Sequence, residues 1–193
     1  MSRKLKKNSS DNLHYPFEVP EGWVWCRLGN IGTTNIGLTY KPLDICVDGV
    51  PVLRSNNIVD GKLNFSDLVR VKTPFGKSLE LQENDILICA RNGSRHLVGK
   101  CALTPNFSER VTFGAFMAMY RSSFNHFVYY FLNSDFFRKI FDSEGISTQI
   151  NQLTQAMIKD TLIPLPPLAE QQRIVSTIEQ IFTQLDEIEK SLN

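Results

Sequence analysis

The segment Gly93-Ser94-Arg95-His96-Leu97-Val98-Gly99-Lys100-Cys101 comes nearest to a catalytic motif. A phosphate-cradling loop sets four residues between its glycines and follows its lysine with Ser or Thr, which holds magnesium. Here five residues separate Gly93 from Gly99, and Cys101 follows Lys100, so nucleotide hydrolysis is not supported. Asp48 with Asp60-Gly61-Lys62 has the acid, acid-x-lysine order of a nuclease. Asp-Gly steps are better explained as turn material, and no further acid clusters beside them. Leu165-Pro166-Pro167-Leu168 lacks the amide or acid before the prolines, and the aromatic after them, with which an amino-methyltransferase grips an exocyclic amine. A Gly-rich turn for a methyl donor is missing as well. The 3 histidines have no Ser or Cys partner at an interpretable spacing for a triad. Cys26, Cys46, Cys89 and Cys101 form no C-x-x-C pair, so neither a zinc site nor any other metal site is expected. Scattered in this way, they are expected to be reduced thiols filling core space in a cytoplasmic protein. The residue types thus promise binding rather than turnover.

The elements that must carry such a binding surface are legible in the hydrophobic pattern. Short apolar runs separated by turn signals predict strands at Trp23–Leu28, Val50–Leu53, Leu68–Val71, Asp85–Ala90, Leu97–Leu103 and Ala115–Tyr120. Asp48-Gly49 and Asp60-Gly61 predict turns, and Arg91-Asn92-Gly93-Ser94 predicts a loop. After Ser122-Ser123 the period becomes helical, with Phe124, Phe127, Val128, Phe131 and Leu132. A second short helix follows with Phe136, Phe137, Ile140 and Phe141. These phenylalanines are expected to pack helices onto the sheet rather than to stack bases. Thr154 is placed to cap a short turn over Gln155–Lys159, and Thr161–Pro167 must be extended, because proline forbids helix there. Ile174, Ile178, Ile181, Leu185, Ile188 and Leu192 then recur at spacings of 4, 3, 4, 3 and 4, the 3.5-residue seam of a coiled coil. Such a helix needs another helix to cover its seam, from its own domain or from a partner.

The chain has 193 residues, 42% hydrophobic and 21% charged, enough to bury a sizeable core. No apolar run approaches the roughly 18 residues of a membrane span, and no secretory leader is expected. The net charge of +1 conceals a division. Residues 1–150 carry 18 Lys and Arg against 14 Asp and Glu, and residues 151–193 carry 3 against 6. Arg3, Lys4, Lys6 and Lys7 crowd a polar tail, either solvated or phosphate-seeking. A basic body permits nucleic-acid binding without demanding it.

The segment Ile163-Pro164-Leu165-Pro166-Pro167-Leu168-Ala169-Glu170-Gln171-Gln172-Arg173-Ile174-Val175 resembles the junction motif of type I restriction–modification specificity subunits. Pro16-Phe17-Glu18-Val19-Pro20-Glu21-Gly22-Trp23-Val24-Trp25, followed by Arg27-Leu28-Gly29, resembles that family's domain opening. Glu83-Asn84-Asp85-Ile86-Leu87-Ile88 with Val98-Gly99-Lys100 resembles its central strands. After the basic tail over 1–15, the resemblance implies an α+β chain with a β-rich mixed target recognition domain over 16–165 and a coiled-coil spacer helix over 166–193. It implies a non-catalytic subunit that binds double-stranded DNA and reads one half of an interrupted target. Its partners would be modification methyltransferase subunits, a restriction subunit and a second spacer helix, most simply from a homodimer. S-adenosylmethionine, ATP and magnesium would belong to those partners, and this chain would hold no cofactor. A complete subunit of the family resembles two such domains and two helices, so a half-size subunit and a fragment both remain open. A protein-interaction adaptor that works through the coiled coil without DNA readout is the alternative from another class.

Readout of base edges needs Arg for guanine and Asn or Gln for adenine, presented on loops. Three clusters meet this need: Arg54-Ser55-Asn56-Asn57, Arg91-Asn92-Gly93-Ser94-Arg95, and Ser147 to Gln152 with Gln149 and Asn151. Thr39, Tyr40 and Lys41 form a weaker one. Lys62, Lys72, Lys77, Lys100 and Arg110 suit phosphates. Asn56, Asn57 and Asn92 have an alternative role as turn residues bonded to their own backbone.

Overall fold

The computed structural model describes residues 15–143 and 152–192. The chain opens with β1 (Val24–Arg27), a single helical turn α1 (Leu28–Ile31) and β2 (Thr33–Ile36). A long strand β3 (Ile45–Leu53), the short pair β4 (Ile58–Val59) and β5 (Lys62–Leu63), and β6 (Val69–Val71) follow. Then come β7 (Ile86–Cys89), β8 (Cys101–Leu103), β9 (Thr112–Phe113) and β10 (Met117–Arg121). The helices α2 (Asn125–Leu132), α3 (Asp135–Ser143) and α4 (Gln155–Asp160) lead through β11 (Leu162–Leu165) to the long α5 (Leu168–Leu192). This is the expected α+β arrangement, with strands early and helices late.

The centre is a four-stranded antiparallel sheet in the order β2-β10-β7-β8. Both faces of it are covered, which explains why Ile86-Leu87-Ile88-Cys89 is apolar without alternation. Ile86 and Ile88 of β7, with Ala118 and Tyr120 of β10, face the helices, where Phe127, Val128, Phe131 and Phe137 complete one core. Leu87, Cys89, Met117 and Met119 point the other way, toward Leu53, Phe113 and Leu81. The second face is closed by β3, which pairs antiparallel with β6 and parallel with β9. The phenylalanines after Ser123 therefore pack on the sheet, as their spacing predicts.

Two expected turns have different outcomes. Asp60 and Gly61 both have positive φ, 49° and 73°, as the tight turn between β4 and β5 requires. Asp48-Gly49 makes no turn. It lies inside β3, at a register break between Ile45 and Val50. A β-carbon on Gly49 would come within 2.5 Å of the Val71 backbone, so glycine serves close strand approach here. The strand expected over Leu97–Leu103 is also shorter. Arg95–Leu97 is a 3-10 turn, and only Cys101–Leu103 is paired. The polar run Thr33–Ile36, not expected as a strand, is the edge of the central sheet.

β1 pairs antiparallel with β11, tying the start of the domain to the foot of α5. Here the opening and junction motifs meet. Trp23 Nε1 donates to Glu170 Oε2 at 3.1 Å, and the buried Gln171 donates from Nε2 to the Pro166 carbonyl at 2.8 Å. Glu170 also sits in the first turn of α5, where a carboxylate favours the positive helix end. Thr154 caps α4 as expected, its hydroxyl accepting from the Met157 N–H at 3.2 Å. The N-terminal part of α5 packs on α2, and Val175 is buried there while Ile174 is half-buried. The seam is therefore divided. Ile174 serves its own domain, whereas Ile181, Leu185, Ile188 and Leu192 are all more than 50% exposed.

Candidate nucleic-acid interface

Beyond the end of β3, Arg54 leads into a 3-10 turn over Ser55–Asn57. Beyond β7, Arg91 and Asn92 enter the connection to β8. β3 and β7 lie in different sheets, yet their ends converge. Asn92 Nδ2 donates to Ser55 Oγ at 3.2 Å, joining the two loops directly. Gln152 forms an isolated bridge with Arg91, and the Leu153 N–H donates to the Ala90 carbonyl at 2.7 Å. The end of the third cluster is thereby anchored beside the second. Gln149 and Asn151, like Arg3, Lys4, Lys6 and Lys7, lie outside the described residues.

A cleft of about 620 Å³ occupies this junction. Thr39 and Tyr40 line one side, Arg54, Ser55 and Asn56 another, and Gly114-Ala115-Phe116 the third. Phe116 is 61% exposed, and the Arg91 guanidinium lies over its ring, 5.5 Å from the centroid. Sequence reasoning placed Phe116 within a strand and missed it as a surface residue. Its position before the buried Met117, in a turn opened by Gly114, was the available signal. Flat apolar walls with guanidinium and amide groups between them suit contact with the edge and methyl group of a base pair.

Lys41 and Lys72 stand together beside the Thr39–Tyr40 edge. The Lys41 N–H donates to Asp44 Oδ2 at 3.0 Å, and the Lys72 N–H donates to the Asp44 carbonyl at 3.0 Å. That Lys41 bond, the Thr73 hydroxyl and the two ammonium groups hold the Asp44 carboxyl below the usual range. Lys77 is exposed in its own 3-10 turn, and Arg110 pairs with Glu80 at 3.0 Å while lying over Phe75. Lys62 is exposed on the β4–β5 hairpin and does not line the cleft.

Asn57 requires a correction. It is 1% exposed, accepts the Arg54 N–H at 2.9 Å, and donates to the carbonyls of Asn64 and Asp67 at 3.0 and 2.9 Å. A side chain so enclosed shapes the turn and cannot reach a base. Lys100 also departs from expectation. It is half-buried, and its ammonium bonds the Ile58 carbonyl at 2.9 Å, bracing the β4 strand rather than standing free for phosphate. Asn92 is partly structural, because Oδ1 accepts the Ser94 N–H at 3.0 Å in a local turn. Ser94 is exposed, and Arg95 lies over the Phe141 ring at 5.7 Å.

Among the described residues of this region, none assembles acid–base or nucleophilic chemistry. Burial pushes the Cys89 thiol up and the Cys101 thiol up to about 12, so both are core groups. Among the described residues, no three His, Cys, Asp or Glu side chains group to hold a metal, and no helix is long and apolar enough to cross a membrane.

A β-rich body with convergent loops thus leads into one long C-terminal helix. A family model described as the type I restriction modification DNA specificity domain matches residues 20–193. The chain belongs to that family. It is 33% identical over 177 residues to the type I restriction enzyme EcoKI specificity subunit of Escherichia coli (strain K12). It is 31% identical to the StySPI specificity subunit of Salmonella potsdam. Each alignment covers 88% of this chain but 38% of the relative, so the chain spans well under half the length of these proteins. The fold is similar to that of the HsdS subunit from Thermoanaerobacter tengcongensis, with a TM-score of 0.69 and 22% identity over 92% of this chain and 42% of that one. A chain from a solved type I R-M system gives a TM-score of 0.73, again at 22% identity, covering 92% of this chain and 43% of its own. Both of the sequence relatives are specificity subunits.

Proposed function

We propose that the chain reads one half of an interrupted DNA target and directs modification methyltransferase and restriction subunits to it. The carrying observation is the junction of loops at one cleft, which Arg54 and Asn56 line with Phe116, the ring over which the Arg91 guanidinium lies. Arg54, Asn56, Arg91 and Asn92 approach base edges. Thr39, Ser94 and Arg95 stand at the margin, and Gln149 and Asn151, outside the described residues, join this set. Lys41, Lys72 and Lys77, with Lys62 and Arg110 farther out, neutralise phosphates. S-adenosylmethionine, ATP and magnesium act in the partner subunits.

The exposed part of the α5 seam, Ile181, Leu185, Ile188 and Leu192, pairs with a second spacer helix, most simply from another copy of the chain. Burying a large aliphatic side chain contributes about 1.5–3 kcal/mol before ordering costs, so the stripe favours a partner. Two-fold pairing presents two identical reading faces and calls for a symmetric, interrupted target.

The test combines this chain with its matching modification subunit and maps which bases become methylated. Arg54→Ala and Arg91→Ala are expected to relax the motif at separate positions. An unchanged motif in both variants would remove this face from the reading. DNA binding by the assembly that is absent, or indifferent to salt, would favour an adaptor role through α5 instead.

A further inference from the structure

Asp67 is a carboxylate placed among the cations of a face assigned above to DNA. It lies between β5 and β6, with its side chain 68% exposed. Its Oδ2 accepts from Arg54 Nη2 at 2.9 Å and from Asn56 Nδ2 at 2.5 Å. Its main-chain carbonyl accepts from the buried Asn57 amide at 2.9 Å, which fixes the backbone beneath it. An ion pair this exposed adds little stability, and a negative charge opposes a polyanionic ligand. What the arrangement does is hold two side chains, two residues apart on one turn, on a single oxygen. Arg54 Nη1 and Asn56 Oδ1 have no hydrogen-bond partner among the described residues, so each of the two side chains keeps a group for a ligand.

Resting on the reading of this face as the DNA interface, we propose that Asp67 is a positioning residue for specificity. It restrains Arg54 and Asn56 in the geometry of a base edge and cancels the charge that would otherwise carry Arg54 to the nearest phosphate. A free guanidinium binds any sequence, because phosphate contacts carry no sequence information. A guanidinium held in a fork reads donors and acceptors. The sign of the effect separates this role from a merely structural one: removing Asp67 strengthens binding to the wrong DNA.

The experiment measures binding of the complex between this chain and its modification subunit to two duplexes, one carrying the mapped target and one scrambled, across a salt series. Asp67→Ala is expected to raise affinity for the scrambled duplex about threefold and to steepen its salt dependence by close to one phosphate contact, about 0.9 in log–log slope. Discrimination between the duplexes is expected to fall by about 5-fold or more, the size of a lost base contact. In Arg54→Ala the gain for scrambled DNA is absent, and adding Asp67→Ala does not restore it. An Asp67→Ala complex that weakens equally on both duplexes, or matches the parent on both, overturns the proposal. A parent complex that cannot tell the two duplexes apart overturns the DNA reading itself, and this proposal with it.

Discussion

Two arginine–aspartate pairs, Arg121–Asp85 and Arg54–Asp67, share their chemistry and differ in their surroundings. In the first, Arg121 Nε and Nη2 donate to the two Asp85 oxygens at 2.6 Å each, and the carboxylate side chain is 1% exposed. In the second, one guanidinium nitrogen meets one oxygen at 2.9 Å beside open solvent. Asp85 also accepts the Gln82 N–H at 2.7 Å, and Arg121 donates to the Glu80 carbonyl at 3.0 Å. The inner pair thus locks the end of β10 to the turn before β7, and its carboxylate pushes the Arg121 guanidinium pKa up. The outer pair joins two surface loops, with the Asp67 side chain 68% exposed. Burial, rather than residue type, decides which ion pair is frame and which is available to a ligand.

The comparison breaks most readily at the inner pair. Arg121→Ala leaves a buried carboxylate without its cation, and urea unfolding is expected to show a loss of about 3–5 kcal/mol. A loss below about 1 kcal/mol would mean that the pair is not frame. Asn57→Ala comes next, since it strips the turn under Arg54 of a buried three-way hydrogen-bond hub. About 2 kcal/mol of stability is expected to go, judged from the cost of unpaired buried polar groups. Arg54→Ala sharpens the contrast from the other side. Its unfolding is expected to change by less than about 1 kcal/mol, while target discrimination in the assembled complex falls by about 1–3 kcal/mol. The smallest expected effect on folding belongs to Ile181→Asp, within about 0.5 kcal/mol of the parent when both are diluted to monomer, because the residue is 51% exposed. Sedimentation should nevertheless show that it abolishes self-association. A parent chain already monomeric at tens of micromolar would remove self-pairing through this seam.

The same division between frame and surface explains which features were legible. β7, β10 and the helices from α2 to α5 were readable because burial writes itself into apolar runs and periods. The junction motif was readable too, and its residues proved to be joints: Glu170 receives Trp23, and Gln171 holds Pro166. β2 was not readable, because an edge strand of Thr33-Thr34-Asn35-Ile36 has little apolar content to show. Asp48-Gly49 and Asp60-Gly61 look alike in sequence, yet one is a bulge pressed on Val71 and the other a turn. Local chemistry permits both, and the neighbouring strand chooses.

Sequence by itself determined the α+β class, the strand at β7, the capped start of α4, the amphipathic α5 and membership of the specificity family. These follow from short-range spacing and from motifs that tie one segment of chain to the next. Only the tertiary structure decided that Arg54, Asn56 and Phe116 line one cleft with Arg91 over the Phe116 ring, that Asn57 and Lys100 serve the frame, and that Ile174 is better covered than Ile181. Those outcomes depend on where β3 and β7 end relative to each other and on how far α2 reaches along α5. Such distances are set by packing between segments remote in the chain, which no local pattern of residue types encodes.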